Sequence, residues 1–336
     1  MNMEDNNRLM NRLDLALAAR SRLINLNYNA AWRLFAGFYE GYPDLAADIY
    51  GSTLVLHSYG QAHNGVLRVM DFAQEHLLQK LPWVDCVLQK IHTSSDNYLQ
   101  QGKVTFGSHL TSQVQEHGVW YATDLRINRD ASLYLDTRNL RRWLIDHAHD
   151  LTVLNLFAYT GSLGVAALAG GAKRIVQVDR SRKFMALANR SCELNHFDTQ
   201  RMELRPQDFF SAVAYYKKSG ELFDLVIVDP PYQSTTGKGK VNLVSESIRV
   251  VNKVRPLIAN GGAIITINNA LFLKGSDYLS SLERLCQDGF LAIEKIIPVP
   301  EDFIGYKDTI VTPPPVDPAP FNHPTKIVLL RVKRRE

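Results

Sequence analysis

"TVLNLFAYTGSLGVAALAGGAKRIVQVD", Thr152 to Asp179, decides the fold. Thr152–Phe157 is an apolar run of the length of one buried strand. A turn containing Gly161 follows, then a small-residue helix, "SLGVAALAG", and a second strand, "RIVQVD", ending at Asp179. Strand, turn, helix, strand is a βαβ unit, which implies parallel strands joined by a right-handed crossover. The alternation continues downstream. Ser181 caps the next helix, "MELRP" (Met202–Pro206) is a third strand, and a helix starts near Asp208. "FDLVIVD" (Phe223–Asp229) is the clearest strand, residues 242–258 are helical, and "GGAIITINN" (261–269) is a fifth strand. The fold class is therefore α/β, with a Rossmann-like sheet covered by helices on both faces. Eight of the chain's 14 prolines lie between Pro298 and Pro324, which makes that stretch an ordered loop. "FLAIEKII" (290–297) and "KIVLLRV" (326–332) flank the loop as an antiparallel pair at the sheet's edge.

The first ~115 residues are organised differently. Helical stretches (Arg8–Leu26, Val66–Lys80) mix with strands such as "STLVLHSYG" (52–60) and "CVLQKIH" (86–92). "GVWYATDLRI" (118–127) and "SLYLDTR" (132–138) alternate as a hairpin would. The expected organisation is a smaller N-terminal α+β domain over 1–115, then a second domain over 116–336 opened by a hairpin spanning 116–138.

Composition is that of a globular chain, 46% hydrophobic and 21% charged. No apolar run approaches the ~20 residues that span a bilayer, so no membrane association is expected. "LALAA" (Leu15–Ala19) is too short for a secretion signal and reads as helix. Cys86, Cys192 and Cys286 are too scattered for a CxxC pair or a disulfide framework, which fits a cytoplasmic protein. The net charge of +4 permits a polyanionic partner without demanding one. His147 and His149 in "DHAHD" are two apart and do not share a helix face, so no metal site is expected. Oligomeric state is left open.

In an open α/β sheet, ligands bind at the carboxyl ends of the strands, so the residues just after each strand are the candidates. "AYTGSLG" follows strand one. Gly161 and Gly164 let backbone pass close to a ligand, although a plain tight turn, taken alone, explains them better. A dinucleotide fingerprint needs glycine where Tyr159 stands, which weighs against a diphosphate cradle and a nicotinamide dehydrogenase. Asp179, about 20 residues past the turn, is placed to accept two ribose hydroxyls. A favourable helix-dipole charge is the alternative. Asp208 is placed to accept from an adenine amino group while Phe209 packs on the ring, and a simple helix cap is equally open. After strand four stand Asp229, Pro230, Pro231 and Tyr232. Pro230 must be extended because a proline follows it. Neither proline has an N–H, so the Pro230 carbonyl and Asp229 form two adjacent acceptors beside the Tyr232 ring. Two acceptors and a ring suit a planar donor such as a base amino group.

This set of strand-end residues is the pattern of class I S-adenosyl-L-methionine-dependent methyltransferases. "VLNLFAYTGSLGVAALAGGAKRIVQVDRSRKFMALANRSCELNHF" (153–197) closely resembles the bacterial large-subunit ribosomal RNA methyltransferases that act on cytosine C5 or guanine N7. "RLFAGFYEGYPDLAADIYGSTLVLHSYG" (33–60) resembles the domain preceding catalysis in that family, and "LYLDTRNLRRWL" (133–144) its "FLDQR" segment. The resemblance implies a seven-stranded sheet with a reversed last strand. It implies that Asn155, Phe157, Tyr159, Thr160, Gly161 and Ser162 line the methionine side of S-adenosyl-L-methionine. Asp179 would hold the ribose with Arg180 beside it, and Asp208 and Phe209 the adenine. Tyr134, Asp136 and Arg138 would close over the site.

Three departures bear on function. Many members carry a PUA RNA-binding domain for which this chain has no room. The family's "HKTGFFLDQR" becomes "NRDASLYLDTR" (128–138). Cytosine-C5 members attack with a cysteine after strand four or five, where this chain has "DPPYQS" and "TINNA". Covalent attack at C5 is therefore disfavoured, and direct transfer to a base nitrogen of RNA, ribosomal in the first instance, is expected, with Asp229, Pro230 and Tyr232 at the acceptor. The rival readings are a protein or small-molecule methyltransferase and a catalytically silent RNA-binding module of the same fold. Lys238, Lys240 and the terminal "RVKRRE" are candidate phosphate contacts or solvated surface.

Overall fold

The computed structural model describes residues 3–60, 64–231, 233–236 and 239–334. Tyr232, Lys238, Arg335 and Glu336, all considered above, lie outside the described residues, as does the side chain of Lys240. The chain groups into two compact units, Met1–Asp136 with Pro300–Pro313, and Thr137–Val299 with Pro314–Glu336.

The first unit holds a five-stranded sheet in the order β1-β2-β3-β4-β5: Ala31–Ala36, Leu45–Tyr50, Thr53–Ser58, Cys86–Ile91 and Lys103–Phe106. Neighbours are antiparallel except β3 and β4, which are joined by the helix Asn64–Lys80. One face carries Trp32, Leu34, Ala47, Ile49, Leu54 and Leu56. It packs on Leu9, Leu13 and Ala16 of α1 (Met3–Arg20) and on Met70, Ala73 and Leu77 of the Asn64–Lys80 helix, spaced as one helical stripe each. Between β1 and β2 runs the short helix α2, Gly37–Glu40, so the Asn64–Lys80 helix is α3.

Part of the proline loop joins this unit. Asp302 Oδ2 accepts from Arg33 N at 3.1 Å, and its carbonyl accepts from Arg20 Nη2 at 2.8 Å. Arg20, fully buried, also pairs with Glu40 at 2.9 Å. Val311 N donates to Tyr39 O at 2.8 Å. These bonds assign Pro300–Pro313 to the first unit although it lies between two strands of the second.

The hairpin differs from expectation. β6 (Gln113–Glu116) pairs with β7 (Val119–Ala122) around His117 and Gly118, both left-handed at φ 52° and 80°. Residues 132–138 form no strand: Leu135–Thr137 is a single 3-10 turn leading into the helix Arg138–His147. Leu133 and Leu135 are 1% and 2% exposed, so their alternation reflects burial without a hydrogen-bonded ladder. The hairpin and the 115/116 boundary both fall inside the first unit.

The second unit is built on a seven-stranded sheet ordered β10-β9-β8-β11-β14-β16-β15. The strands are β8 Thr152–Leu156, β9 Arg174–Asp179, β10 Met202–Pro206, β11 Phe223–Val228, β14 Ile258–Asn268, β15 Leu291–Ile297 and β16 Lys326–Val332. Two short antiparallel strands, β12 (Gln233–Thr236) and β13 (Gly239–Asn242), follow β11 and were not foreseen. The helix after them spans Leu243–Val254. Strand order reverses between β8 and β11, which is where a ligand crevice opens in such sheets. The terminal antiparallel pair is as expected, and β16 also pairs antiparallel with β14, so the last strand is interior and β15 is the edge. Burial accounts for this: β16 is buried at six of its seven residues, while β15 exposes Ala292, Glu294 and Lys295.

Candidate functional site

The turn after β8 is wound in the left-handed region at alternate residues: Phe157 (φ 59°), Tyr159 (φ 52°) and Gly161 (φ 76°). For the two aromatic residues this conformation costs roughly 1–2 kcal/mol each, so neighbours must hold it. Asp179 Oδ2 accepts from Tyr159 N at 2.8 Å, and Ala158 N donates to Val178 O at 2.9 Å. Gln177, fully buried in mid-β9, donates from Nε2 to Gly161 O at 3.1 Å and accepts at Oε1 from Asn155 Nδ2 at 2.9 Å. A Cβ on Gly161 would sit 2.6 Å from Gln177 Nε2 and 2.5 Å from Ala188 Cβ. One on Gly164 would sit 2.5 Å from Gln177 Cδ. The two glycines therefore have an internal cause: they let the helix Ser162–Ala169 close on β9 around Gln177. Sequence reading missed Gln177, whose one signal is a polar residue inside the apolar run "RIVQVD". Asn155, expected to line the site, is 1% exposed and braces the turn from beneath through Gln177.

Asp179 ends β9 half-buried. Its Oδ1 accepts from Ser181 N at 2.9 Å while Oδ2 holds Tyr159. Burial pushes its carboxyl up, against backbone donors at Ser181, Tyr159 and Arg180 that pull it down. Arg180 itself is exposed. Asp208 caps the helix Phe209–Ser219: Oδ1 accepts from Ser211 N at 3.1 Å and Oδ2 from the Ser211 hydroxyl. The capping alternative is thus present. Phe209 is 4% exposed and its ring stacks on Phe157, centroids 5.0 Å apart at 19°. That contact brings the ends of β8 and β10 together. Tyr159 meets Phe184 edge-on at 4.6 Å, Thr160 is buried and Ser162 half-buried.

At the end of β11, Asp229 N donates to Leu156 O at 3.5 Å, so the Asp229–Pro231 segment and the β8 turn leave the sheet side by side. Asp229 is half-buried, Pro230 buried and Pro231 exposed. The residues fit a nucleoside without a diphosphate: the Asp179 carboxylate at the end of β9 can accept from ribose hydroxyls, and Tyr159 stands where a dinucleotide-binding turn needs its first glycine. A profile of the S-adenosylmethionine-dependent methyltransferases matches residues 33–301, most of the chain. The chain belongs to that family. Its cofactor is S-adenosylmethionine.

Among curated relatives, the ribosomal RNA large subunit methyltransferase I of Alteromonas mediterranea is 28% identical over 276 residues, covering 79% of this chain and 66% of that one. The Escherichia coli K12 protein of the same name is 27% identical over 272 residues, covering 81% and 68%. The chain thus spans about two thirds of these relatives' length. The crystal structure of SMU.776 complexed with SAH superimposes with a TM-score of 0.84 at 22% identity, over 97% of this chain and 82% of that one.

In this methyltransferase no cysteine stands directly after β11 or β14. Cys192 lies fully buried in the helix Arg182–Leu194, where burial pushes its thiol up to about 12. Cys286 ends the helix Gly275–Cys286 and Cys86 is buried in β4; burial raises both thiols. At the end of β14, Asn268 is fully buried and its Oδ1 accepts from Ala270 N at 2.9 Å. Lys326, opening β16, donates to Ala270 O at 3.0 Å and Pro324 O at 2.6 Å. Burial lowers its ammonium to about 8. Sequence reading missed both residues, since a lysine opening a strand looks like an ordinary solvated end. Tyr134, 40% exposed with its hydroxyl 3.3 Å from Asp130 Oδ2, and Asp136 belong to the first unit, and Arg138 opens a helix of the second. Among the described residues no helix is long and apolar enough to cross a membrane, and no cluster of three acidic, histidine or cysteine residues could hold a metal.

Proposed function

We propose that this methyltransferase modifies a base nitrogen of RNA, ribosomal RNA in the first instance, by direct in-line transfer in the cytoplasm. The observation that carries the reading is the chemistry at the two central strand ends. Asp229 and the N–H-free Pro230 stand after β11, beside the β8 turn, and no thiol stands directly after β11 or β14. Without a nucleophilic cysteine, cytosine C5 cannot be activated by covalent attack, whereas a nitrogen lone pair needs none. The names of the curated relatives support an RNA acceptor.

When bound, S-adenosylmethionine supplies a methyl group on a sulfonium, already a good leaving group. The chain's own contribution is to bind and to aim. The Asp179 carboxylate would take the ribose hydroxyls with Arg180 beside it. Asn155, Phe157, Tyr159, Thr160, Gly161 and Ser162 would form the methionine side, and Asp208 and Phe209 the adenine side. Arg138, of the same unit, would close over it. At the acceptor, Asp229 and the Pro230 carbonyl would accept from an exocyclic amine and turn its lone pair towards the methyl. For a ring nitrogen, Asp229 would orient the base. A base drawn from a structured RNA would be flipped out and stacked on Tyr232.

The test is transfer of tritiated methyl to RNA from a strain lacking this gene, with wild-type RNA as the control. RNA from the deletion strain should be labelled and wild-type RNA, already modified, should not. Mass spectrometry of the labelled nucleotide then names the atom. Equal labelling of both RNAs, or labelling at C5, would overturn the reading.

A further inference from the structure

The first unit carries a polar relay on the sheet face opposite α1 and α3. Arg33 Nε and Nη2 donate to Asp48 Oδ1 and Oδ2 at 2.7 and 3.0 Å. Asp48 Oδ2 lies 3.2 Å from His57 Nε2, and His57 Nδ1 lies 3.0 Å from His92 Nε2. With both rings neutral, His57 accepts at Nδ1 from His92 Nε2–H, while His57 Nε2 faces the Asp48 carboxylate at ion-pair distance without the alignment of a hydrogen bond. Burial and neighbouring cations hold His92 down to about 3, which keeps that ring uncharged at neutral pH.

The relay ends on Tyr59, whose ring stacks on His92 with centroids 4.5 Å apart at 18°. The side chains of Asp48 and His57 are each 4% exposed, whereas Tyr59 is 47% exposed. The exposed ring is therefore backed by a second ring, itself locked by hydrogen bonds into the sheet. A second device fixes a cation nearby. Lys90, fully buried on the adjacent strand, donates from Nζ to the carbonyls of Asn128, Arg129 and Asp130 at 3.0, 3.2 and 3.3 Å. That pins the backbone of the exposed Arg129, whose charge acts on both Tyr59 and His92.

A tyrosine left exposed yet held from behind has little side-chain freedom to lose on binding. A flat face next to a cation matches the repeating chemistry of a single nucleic-acid strand, base then phosphate. Arg129 and Asp130 bring charges of both signs to bear on the Tyr59 ring, which suits a polar, charged partner. We propose that Tyr59, backed by His92, is a stacking platform for an unpaired base of the RNA substrate, with Arg129 engaging the adjoining phosphate. The proposal rests on the RNA reading above and adds to it a contact in the first unit.

Binding of a fluorescent adenosine dodecamer to the full chain, read by anisotropy, tests it. Tyr59→Ala should weaken binding by about 5- to 100-fold, the range for losing one base–aromatic stack. Tyr59→Trp should bind at least as well as the wild type and add fluorescence that RNA quenches. Arg129→Ala should weaken binding and reduce the slope of log affinity against log salt by about one. Calorimetry should give S-adenosylmethionine affinities within about two-fold across all variants, which reports an intact fold. Unchanged RNA affinity in Tyr59→Ala, with no quenching in Tyr59→Trp, would overturn the platform while leaving the methyl-transfer reading standing. Unchanged RNA affinity with lost binding to a ribosomal protein would overturn it in favour of a protein surface. A wild type that neither binds nor labels RNA would instead overturn the RNA reading, and the platform with it.

Discussion

The two sheets of this chain treat polar groups in opposite ways. In the second unit the inner strands carry no charged residue in mid-strand: they are mostly apolar, as in Val226, Ile227, Ile264 and Ile265, with the neutral Asn155 and Gln177 bonded to each other, and the carboxylates sit where strands end: Asp179, Asp208, Asp229. In the first unit only one face is apolar. The other carries Arg33, Asp48, His57 and Lys90 in mid-strand, all but Arg33 nearly fully buried. At a strand end a carboxylate can take its bonds from loop amides and keep oxygen capacity for a ligand, as Asp179 does with Tyr159 and Ser181. In mid-strand the backbone is committed to the ladder, so each buried charge needs a side-chain partner or stray carbonyls. The first arrangement favours binding and the second favours rigidity.

That contrast breaks first at Asp48. Asp48→Ala would strand the Arg33 guanidinium, and loss of one partner of a buried pair costs about 3–5 kcal/mol. Urea denaturation should show it, with hydrogen exchange rising in the peptide covering β2 and β3. A loss below about 1 kcal/mol would mean the relay is solvated. At the strand-end counterpart, Asp229→Ala should lower methyl transfer by roughly 100-fold or more, the scale of a misplaced acceptor. Denaturation midpoint and cofactor affinity should barely change. Full activity would remove Asp229 from the site.

Acid should separate the two units next. His57 and His92 have folded values below the ordinary histidine value, and Asp48 lies far below the carboxylate range, held by Arg33 and His57 against burial. A group lowered on folding contributes stability that is present above its ordinary value and lost as pH falls towards the folded one. For His92 the window runs from 6.5 down to about 3, and Asp48 adds to the loss only below the ordinary carboxylate value. Protection from exchange in β2–β4, corrected for the intrinsic rate at each pH, should therefore fall between pH 7 and 4 ahead of β8–β11, and His92→Gln should shrink that pH dependence. A simultaneous fall in both sheets would contradict it.

The smaller effects divide the acids. Asp208→Ala removes a cap, worth about 1 kcal/mol, and should change cofactor affinity less than Asp179→Ala does. The reverse order in calorimetry would mean that Asp208 contributes more to the adenine side than Asp179 does to the ribose. The exposed Arg331–Glu294 pair, 2.5 Å apart with side chains 41% and 39% exposed, should contribute at most about 1 kcal/mol in a double-mutant cycle.

Sequence alone determined the α/β class, each strand of the second sheet and the acids at their ends. Strands announce themselves through local apolar runs, and a residue that ends a run is marked by the run itself. The resemblance carried by "VLNLFAYTGSLG" supplied the cofactor. Tertiary structure alone decided the rest, because each remaining feature depends on residues far apart in the chain. Gln177 explains Gly161 and Gly164 from the next strand. Asp302 fastens Pro300–Pro313 to Arg20 and Arg33, about 270 residues earlier. Alternation at 132–138 looked like a strand because burial has the same period whether or not a partner strand is present. The relay from Arg33 to Tyr59 was unreadable for the same reason: a buried histidine and a solvated one look alike until the sheet sets Asp48, His57 and His92 beside each other.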